Sequence, residues 1–269
     1  MSRRQELLKF YLAYFFHRLW IFLRYYFNRA ERKPVFILCT ARTGSVFLTS
    51  CFQSVPEIST LGEVLSPVRS FGVLGRTATP ESVRRHLCYS INASEKERCV
   101  LKLMHRHVES AGISLEKLLQ NLEKDFPSAK LIIIYRRSLA DQYLSLKLAE
   151  ATGDWVWKEK PAQPPSLVID PIEYRKYCES TRAFYETLLK NAWIRKNAVV
   201  LSYEELAQDP QGVFDRTLFP FLELPPCTVA VSTHKQNVKR PEEIIQNYAE
   251  VEALLNNQAS FQHYTLLPT

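Results

Sequence analysis

Short apolar runs alternate with amphipathic stretches along most of the chain. The apolar runs predict strands at Val35–Thr40, Cys99–Met104, Lys130–Tyr135 and Ala198–Ser202. Helical spacing of apolar residues predicts helices at Ser45–Ser54, Pro80–Ile91, Leu115–Phe126, Ser138–Thr152, Pro171–Arg195, Pro210–Leu222 and Pro241–Leu255. The run at residues 130–135 is continuously apolar, as expected of a strand covered on both faces of a parallel sheet. Strands that alternate with helices predict an α/β fold, with a central, mainly parallel sheet flanked by helices.

The first 33 residues have a different pattern. Aromatic and aliphatic residues fill Leu7–Phe27, and a lysine, a histidine and two arginines interrupt them. A central His-Arg pair is costly in a helix that spans a bilayer, whereas aromatic residues with arginines suit a helix in the membrane interface. An apolar helix packed on its own domain or on a second copy of the chain fits equally well, so both interpretations stay open. No small-residue cleavage site follows, which argues against a secretory signal peptide.

Composition supports a folded chain with one α/β domain at residues 34–269 after an N-terminal helix at 1–33. Hydrophobic residues make up 46% of the 269 residues and charged residues 23%, which excludes a disordered class. The net charge of +7 fits an anionic ligand, an acidic membrane or nucleic acid about equally. The six cysteines form no CxxC pair and no zinc pattern, so we expect reduced thiols, no metal site and a cytoplasmic protein, peripheral to the membrane if the first helix binds it.

The most informative motif is an Arg-Thr-Gly-Ser turn at residues 42–45, between the first predicted strand and the next helix. A helix amino terminus presents unpaired N–H groups and the positive end of the helix dipole, which favour phosphate or sulfate. Arg42 adds a fixed cation, and Thr43 and Ser45 add hydroxyl donors. The lysine of a Walker A loop is missing. By itself, the turn predicts an anion site of unspecified kind, or a plain surface turn.

A second motif follows the strand predicted at residues 130–135. Arg137 stands at the carboxyl end of this strand, and Ser145 stands two turns into the following helix. Ligands of open α/β sheets bind outside the carboxyl ends of the strands, so Arg137 and the Arg42 turn are expected to face one crevice. Arg137 offers a bidentate fork for a phosphate, and Ser145 offers a hydroxyl to the same group.

Together, the Arg-Thr-Gly-Ser turn and the later Arg-x-x-x-Asp-x-x-x-Ser motif resemble the two cofactor signatures of sulfotransferases that use 3′-phosphoadenosine 5′-phosphosulfate (PAPS). Further similarity, to the bacterial trehalose-type and lipopolysaccharide-type branch of carbohydrate sulfotransferases, lies at residues 147–155, in Val-Leu-Ser-Tyr-Glu-Glu-Leu at 200–206 and in the Lys-Gln segment at 235–236. The resemblance covers roughly residues 34–255. It implies a P-loop-like, three-layer α/β fold.

The resemblance also implies roles for individual residues. The 5′-phosphosulfate is assigned to Arg42, Thr43, Gly44 and Ser45, and the 3′-phosphate to Arg137 and Ser145. Lys235 and Gln236 are further cofactor-binding candidates, and Lys235 belongs to a basic cluster that could close over the nucleotide. Tyr203 is expected to line the adenine or acceptor pocket. The general base of the trehalose-type branch maps to Glu63 in the loop after the first helix. Other sulfotransferases use a histidine near a lysine at a strand end, and Lys102 with His105 comes close, one position longer than that spacing.

These expectations define a function. The chain is predicted to transfer a sulfuryl group from PAPS to a hydroxyl of a carbohydrate, glycolipid or similar acceptor, releasing 3′,5′-adenosine bisphosphate (PAP). Glu63 is the preferred base, with His105 as the alternative, and Lys102 would stabilise the leaving group. Neither a metal nor a nucleic-acid partner is expected, and a homodimer is compatible with the sequence.

Two other functions stay open at the level of sequence. One is a P-loop kinase, which the missing lysine disfavours, as does an Arg-Arg pair at residues 136–137 where a magnesium-binding aspartate is expected. The other is a non-catalytic, membrane-associated protein that keeps the fold and has lost the chemistry.

Overall fold

The computed structural model describes residues 31–66, 79–155, 165–231 and 240–257, together with Leu19 and Leu23. Its strands are β1 (Lys33–Cys39), β2 (Ile58–Gly62), β3 (Arg98–Met104), β4 (Lys130–Tyr135) and β5 (Ala198–Ser202). They form one five-stranded parallel sheet in the order β2-β3-β1-β4-β5, flanked by helices. The predicted α/β class is therefore confirmed.

The helices, in chain order, are α1 (Ser45–Gln53), α2 (Pro80–Asn92), α3 (His105–Ser110), α4 (Leu115–Asp125), α5 (Leu139–Thr152), α6 (Pro171–Lys190), α7 (Ala192–Asn197), α8 (Tyr203–Gln208), α9 (Pro210–Val213), α10 (Phe219–Leu222) and α11 (Tyr248–Asn257). A π-helical turn at Phe214–Leu218 joins α9 to α10, and a 3-10 turn at Pro241–Glu243 precedes α11.

Two compact units make up the chain. Among the described residues, the first contains residues 31–38, 56–66 and 79–131, and the second contains residues 39–55, 132–155, 165–231 and 240–257. In the first unit, Phe36 packs on Phe126 with ring centroids 5.9 Å apart. In the second, Phe52 packs edge-on against Phe214, with centroids 5.0 Å apart. Each unit therefore has aromatic packing of its own.

Helix α4 shows how the local sequence specifies an element of the first unit. Ser114 accepts a hydrogen bond from the Lys117 N–H and caps the amino terminus. The predicted apolar face is buried, and its members are Leu115, Leu118, Leu119 and Leu122. Burial of each leucine contributes about 1.5–3 kcal/mol. Periodicity and capping therefore agree on this helix.

In the second unit, α5 has the boundaries that its sequence signals indicate. The Ser138 hydroxyl accepts a hydrogen bond from the Asp141 N–H at the start, and Gly153 ends the helix in a left-handed conformation with φ of 75°. The preceding strand, β4, is buried from Leu131 to Tyr135, as its continuous apolar run predicts. This strand-helix pair carries the second sequence motif.

Two helices have boundaries in the structure that differ from those predicted from the sequence. The helix predicted at Pro171–Arg195 ends at Lys190, because Asn191 adopts an extended backbone and its side chain caps α7. The helix predicted at Pro241–Leu255 is wrong over its first turns. Ile245 pairs with Leu167 in an isolated bridge there, and the regular helix begins at Tyr248. In both places a specific polar or backbone partner overrides helical periodicity.

Three elements were not predicted. Strand β2 and helices α3 and α8 each have five or six residues, too few to establish a period. The flanking proline and glycine also give β2 the pattern of a loop. Strand β2 pairs in parallel with β3, and Gly62 lies opposite Leu101.

The N-terminal helix predicted at Leu7–Phe27 lies outside the described residues, apart from two isolated positions. Among the described residues, no helix has both the length and the apolar character needed to cross a membrane. All six cysteines are free thiols, and four of them are buried: Cys39, Cys51, Cys99 and Cys178.

Candidate anion-binding site

The loop between β1 and α1 has an unusual backbone. Arg42 and Gly44 both adopt left-handed conformations, with φ of 64° and 79°. A non-glycine residue there is strained, and such strain concentrates at ligand sites. Helix α1 begins at Ser45, and no side chain of the described residues caps its amino terminus. Uncapped N–H groups at the start of a helix offer donors that suit an anion.

Gly44 is required here for space as well as conformation. A Cβ atom on this residue would lie only 2.2 Å from Cδ2 of Tyr203. Tyr203 begins α8, and its ring also contacts Phe47 edge-on, with centroids 6.4 Å apart. The tyrosine predicted to line the nucleotide pocket therefore packs directly on the loop.

Arg42 joins the first motif to the second. Its Nε donates a hydrogen bond to Ser145 Oγ at 3.0 Å, and its Nη1 donates one to the carbonyl of Trp155 at 2.7 Å. Ser145 is buried on α5. Burial, followed by the positive charge of Arg136, lowers the pKa of Arg42 to about 10, so Arg42 stays charged at neutral pH. Two residues far apart in sequence thus meet within the second unit.

A buried polar network holds this loop in place. Gln142 is fully buried on α5, and its Nε2 donates hydrogen bonds to Thr40 Oγ1 at 2.8 Å and to the Ala41 carbonyl at 2.6 Å. Tyr185 Oη lies 3.3 Å from Thr40 Oγ1 and donates to the Ile134 carbonyl. Sequence reasoning missed Gln142, and an amide on an otherwise apolar helix face is the signal that could have revealed it.

Thr43 also contributes to this network. Its side chain is fully buried, and its hydroxyl donates to the Thr40 carbonyl at 3.1 Å. The sequence assigned this hydroxyl to an anion. In the structure it stabilises the turn, and the neighbouring Ser45 is buried at the start of α1.

The two arginines after β4 have different surroundings. The Arg137 N–H donates to the Glu204 carboxylate, and the Arg137 guanidinium forms a close ion pair with Glu205. Arg136 is buried, and its guanidinium carbon lies 5.2 Å from the centroid of the Tyr203 ring. The residue predicted to bind a 3′-phosphate is therefore paired with a carboxylate, whereas its unassigned neighbour lies against the tyrosine of the loop.

The predicted catalytic residues belong to the first unit. Lys102 of β3 is 4% exposed, and its Nζ lies 2.6 Å from Oε1 of Glu63, which follows β2 directly. This close pair offsets the cost of burying the ammonium. The adjacent parallel strands bring the two residues together, although β2 itself was not predicted.

The two histidines of α3 differ in their neighbours. His105 Nε2 lies 3.5 Å from the Glu109 carboxylate, and burial lowers its pKa while Glu109 opposes the shift. Burial also lowers the pKa of His107, and the Glu63 carboxylate opposes that shift. The Glu63 carboxylate therefore acts on the pKa of His107, whereas the predicted base His105 pairs with Glu109 of its own helix.

Two predicted cofactor residues, Lys235 and Gln236, lie outside the described residues. Within the described ranges, no three His, Cys, Asp or Glu side chains are grouped as metal ligands.

Among the comparisons with known proteins, only the one with solved structures finds similarity. No family model matches the sequence, and no curated protein matches it. Among solved structures, the chain is similar to the mouse sulfotransferase SULT7A1 in its crystal structure complexed with PAP, with 15% identity and a TM-score of 0.40. The similarity covers 73% of this chain and 59% of the mouse protein, so the chain matches less than two thirds of that protein's length.

Proposed function

We propose that the chain binds PAPS at the loop after β1 and transfers its sulfuryl group to an acceptor hydroxyl. The observation that carries this proposal is the hydrogen bond from Arg42 Nε to Ser145 Oγ. It joins residues 103 positions apart, one from each motif that resembles a PAPS signature. An uncapped helix amino terminus, together with the charged side chain of Arg42 in the preceding loop, is chemically suited to a phosphosulfate.

On this proposal, Arg42 and the N–H groups at the start of α1 bind the 5′-phosphosulfate. Ser145 and Arg137 bind the 3′-phosphate, for which the ion pair of Arg137 with Glu205 must open. The side chains of that pair are 39% and 54% exposed, and an ion pair open to solvent contributes only about 0–1 kcal/mol. A doubly charged phosphate can therefore displace the Glu205 carboxylate at small cost.

The proposed roles in the first unit concern the acceptor. Glu63 would accept the hydroxyl proton as the acceptor oxygen bonds to sulfur, while the bond from sulfur to the bridging oxygen breaks and PAP leaves with the electron pair. Lys102 would hold the Glu63 carboxylate or offset charge on the leaving oxygen. His105 remains the alternative base. Cations and helix N–H groups offset the developing charge in this scheme, so EDTA should not abolish activity.

The proposed acceptor is a carbohydrate or glycolipid. Its support is the similarity of residues 147–155, 200–206 and 235–236 to the bacterial carbohydrate branch. The helix that the sequence predicts within residues 1–33 would hold the enzyme at a membrane surface that presents such an acceptor. A homodimer is compatible with this arrangement and is not required by the chemistry.

Sulfate transfer tests the proposal directly. The full chain is incubated with sulfur-labelled PAPS and with separated lipid, glycan and protein fractions of a cell extract. We expect label in the glycan or glycolipid fraction together with formation of PAP. Glu63→Gln should remove most of this transfer, whereas Glu123→Gln, the same change at an exposed position of α4, should not. Label in no fraction would contradict the proposed activity.

Labelling and binding assays also distinguish sulfate transfer from the two alternative functions. Transfer of phosphate from labelled ATP, with no sulfate transfer, would identify a kinase. Binding of PAP without transfer to any fraction would identify a non-catalytic protein that keeps the nucleotide site.

A further inference from the structure

We propose that Arg136 is a further anion-binding residue of the site, and that it binds the phosphate or phosphosulfate groups of the nucleotide together with Arg42. The inference rests on the proposed function for the identity of the nucleotide. The anion site itself depends only on the surroundings of Arg136.

The hydrogen bonding of Arg136 is incomplete. The residue is 9% exposed, and its buried Nε makes no hydrogen bond within the described residues. Two carboxylates face its guanidinium at longer range: Asp141 Oδ2 lies 3.7 Å from Nη2, and Glu204 Oε1 lies 4.0 Å from Nε. A buried guanidinium N–H without an acceptor is costly, so the arrangement calls for another acceptor.

The position of Arg136 places it beside the anion loop. Its guanidinium lies against the Tyr203 ring, and the same ring packs directly on Gly44. Gly44 is two residues from Arg42 and immediately precedes α1. Tyr203 therefore connects Arg136 to the uncapped helix amino terminus, and a cation on this aromatic ring is held in a fixed position.

The charges of Arg136 and Arg42 are a second reason to expect an anion at this site. Arg136 lies close enough to Arg42 for its positive charge to help lower the pKa of Arg42. The buried Arg136 and the partly buried Arg42 repel each other, and an anion between them would offset that repulsion. Asp141 and Glu204 offset part of this repulsion, yet neither is hydrogen-bonded to Arg136 Nε. A phosphate or sulfate shared by Arg42 and Arg136 would supply the missing acceptor and would offset the remaining repulsion.

Variants of Arg136 test the inference through binding of PAP and of inorganic pyrophosphate, measured by calorimetry and by the rise in melting temperature. Arg136→Gln should weaken PAP at least about tenfold, the loss expected for a charge-assisted hydrogen bond. Arg136→Lys, which keeps the charge and loses the fork, should bind with intermediate affinity. Arg175→Gln, the same change at an exposed site on α6, should bind as wild type does.

The outcomes separate this inference from the proposed function. If wild type binds PAP and both Arg136 variants bind it equally well, the Arg136 assignment is overturned and the function stands. If wild type binds only pyrophosphate and Arg136→Gln loses it, the nucleotide assignment fails and the anion site stands. If wild type binds neither probe, both fail.

A structural role for Arg136 predicts a different result. In that case, Arg136→Gln would lower the melting temperature of the free protein without changing the rise in melting temperature that PAP causes. Should Arg136→Gln not fold, Arg136→Lys, Arg42→Lys and the double variant Arg42→Lys/Arg136→Lys together decide the question. An anion shared by both side chains predicts that the two losses of PAP affinity are not additive, and additive losses would contradict it.

Discussion

Replacement of Gly44 by alanine is predicted to destabilise the protein and to disrupt the anion loop. The first cost is conformational, because the residue has φ of 79° and a left-handed backbone costs an alanine about 1–2 kcal/mol. The second is steric, because the new Cβ would lie 2.2 Å from the Tyr203 ring. Overpacking of this kind typically costs about 1–3 kcal/mol. Gly44→Ala should therefore lower the free energy of unfolding by about 2–5 kcal/mol.

Gly153→Ala is the matched control for this prediction. Gly153 has φ of 75°, and a Cβ there would meet nothing within 4 Å. It should therefore show the conformational cost alone, about 1–2 kcal/mol. Urea unfolding of both variants gives the comparison, and PAP calorimetry should show that Gly44→Ala alone loses affinity.

Removal of the clashing ring completes the test. In a Tyr203→Ala background, Gly44→Ala should cost no more than Gly153→Ala does, because the steric part of its cost is gone. Equal costs of the two glycine substitutions in the wild-type background would refute the packing of Tyr203 on Gly44.

Three further predictions concern single residues of the two units. Gln142→Leu should lower the free energy of unfolding by about 1–3 kcal/mol in urea, because it removes the donor to Thr40 Oγ1 and to the Ala41 carbonyl, and it should also weaken PAP binding. Arg137→Ala should weaken PAP far more than 5′-AMP in calorimetry, and equal losses would remove Arg137 from the 3′-phosphate. Glu63→Gln should keep the PAP affinity of wild type and lose most sulfate transfer in a turnover assay; a near-normal rate would point to His105 instead.

The sequence predicted the regular elements where a period was long enough to read. Strand β4 and helix α4 were predicted with boundaries correct to within one residue, because buried strands and amphipathic helices repeat their pattern over several residues. Strand β2 has only five residues and was missed. The break at Asn191 was missed as well, because a single side-chain cap ended a helix that periodicity would have continued.

In the candidate site, too, the features set by local sequence were predicted and those set by long-range packing were not. The sequence predicted the strand, the turn and the helix around Arg42, because these elements follow one another directly in the chain. The location of Arg136 against Tyr203 was not predicted, because it depends on the packing of two distant segments. The network around Gln142 was hidden for the same reason, as the acceptors of its amide lie 102 and 101 positions away.

The most direct test of the central claim is a calorimetric titration of the full chain with PAP, repeated with Arg42→Gln and with ATP. We predict that wild type binds one PAP per chain, that Arg42→Gln weakens this binding at least about tenfold, and that ATP binds more weakly than PAP does. A wild-type protein that fails to bind PAP, or that binds ATP more tightly, would contradict the assignment of this loop to PAPS.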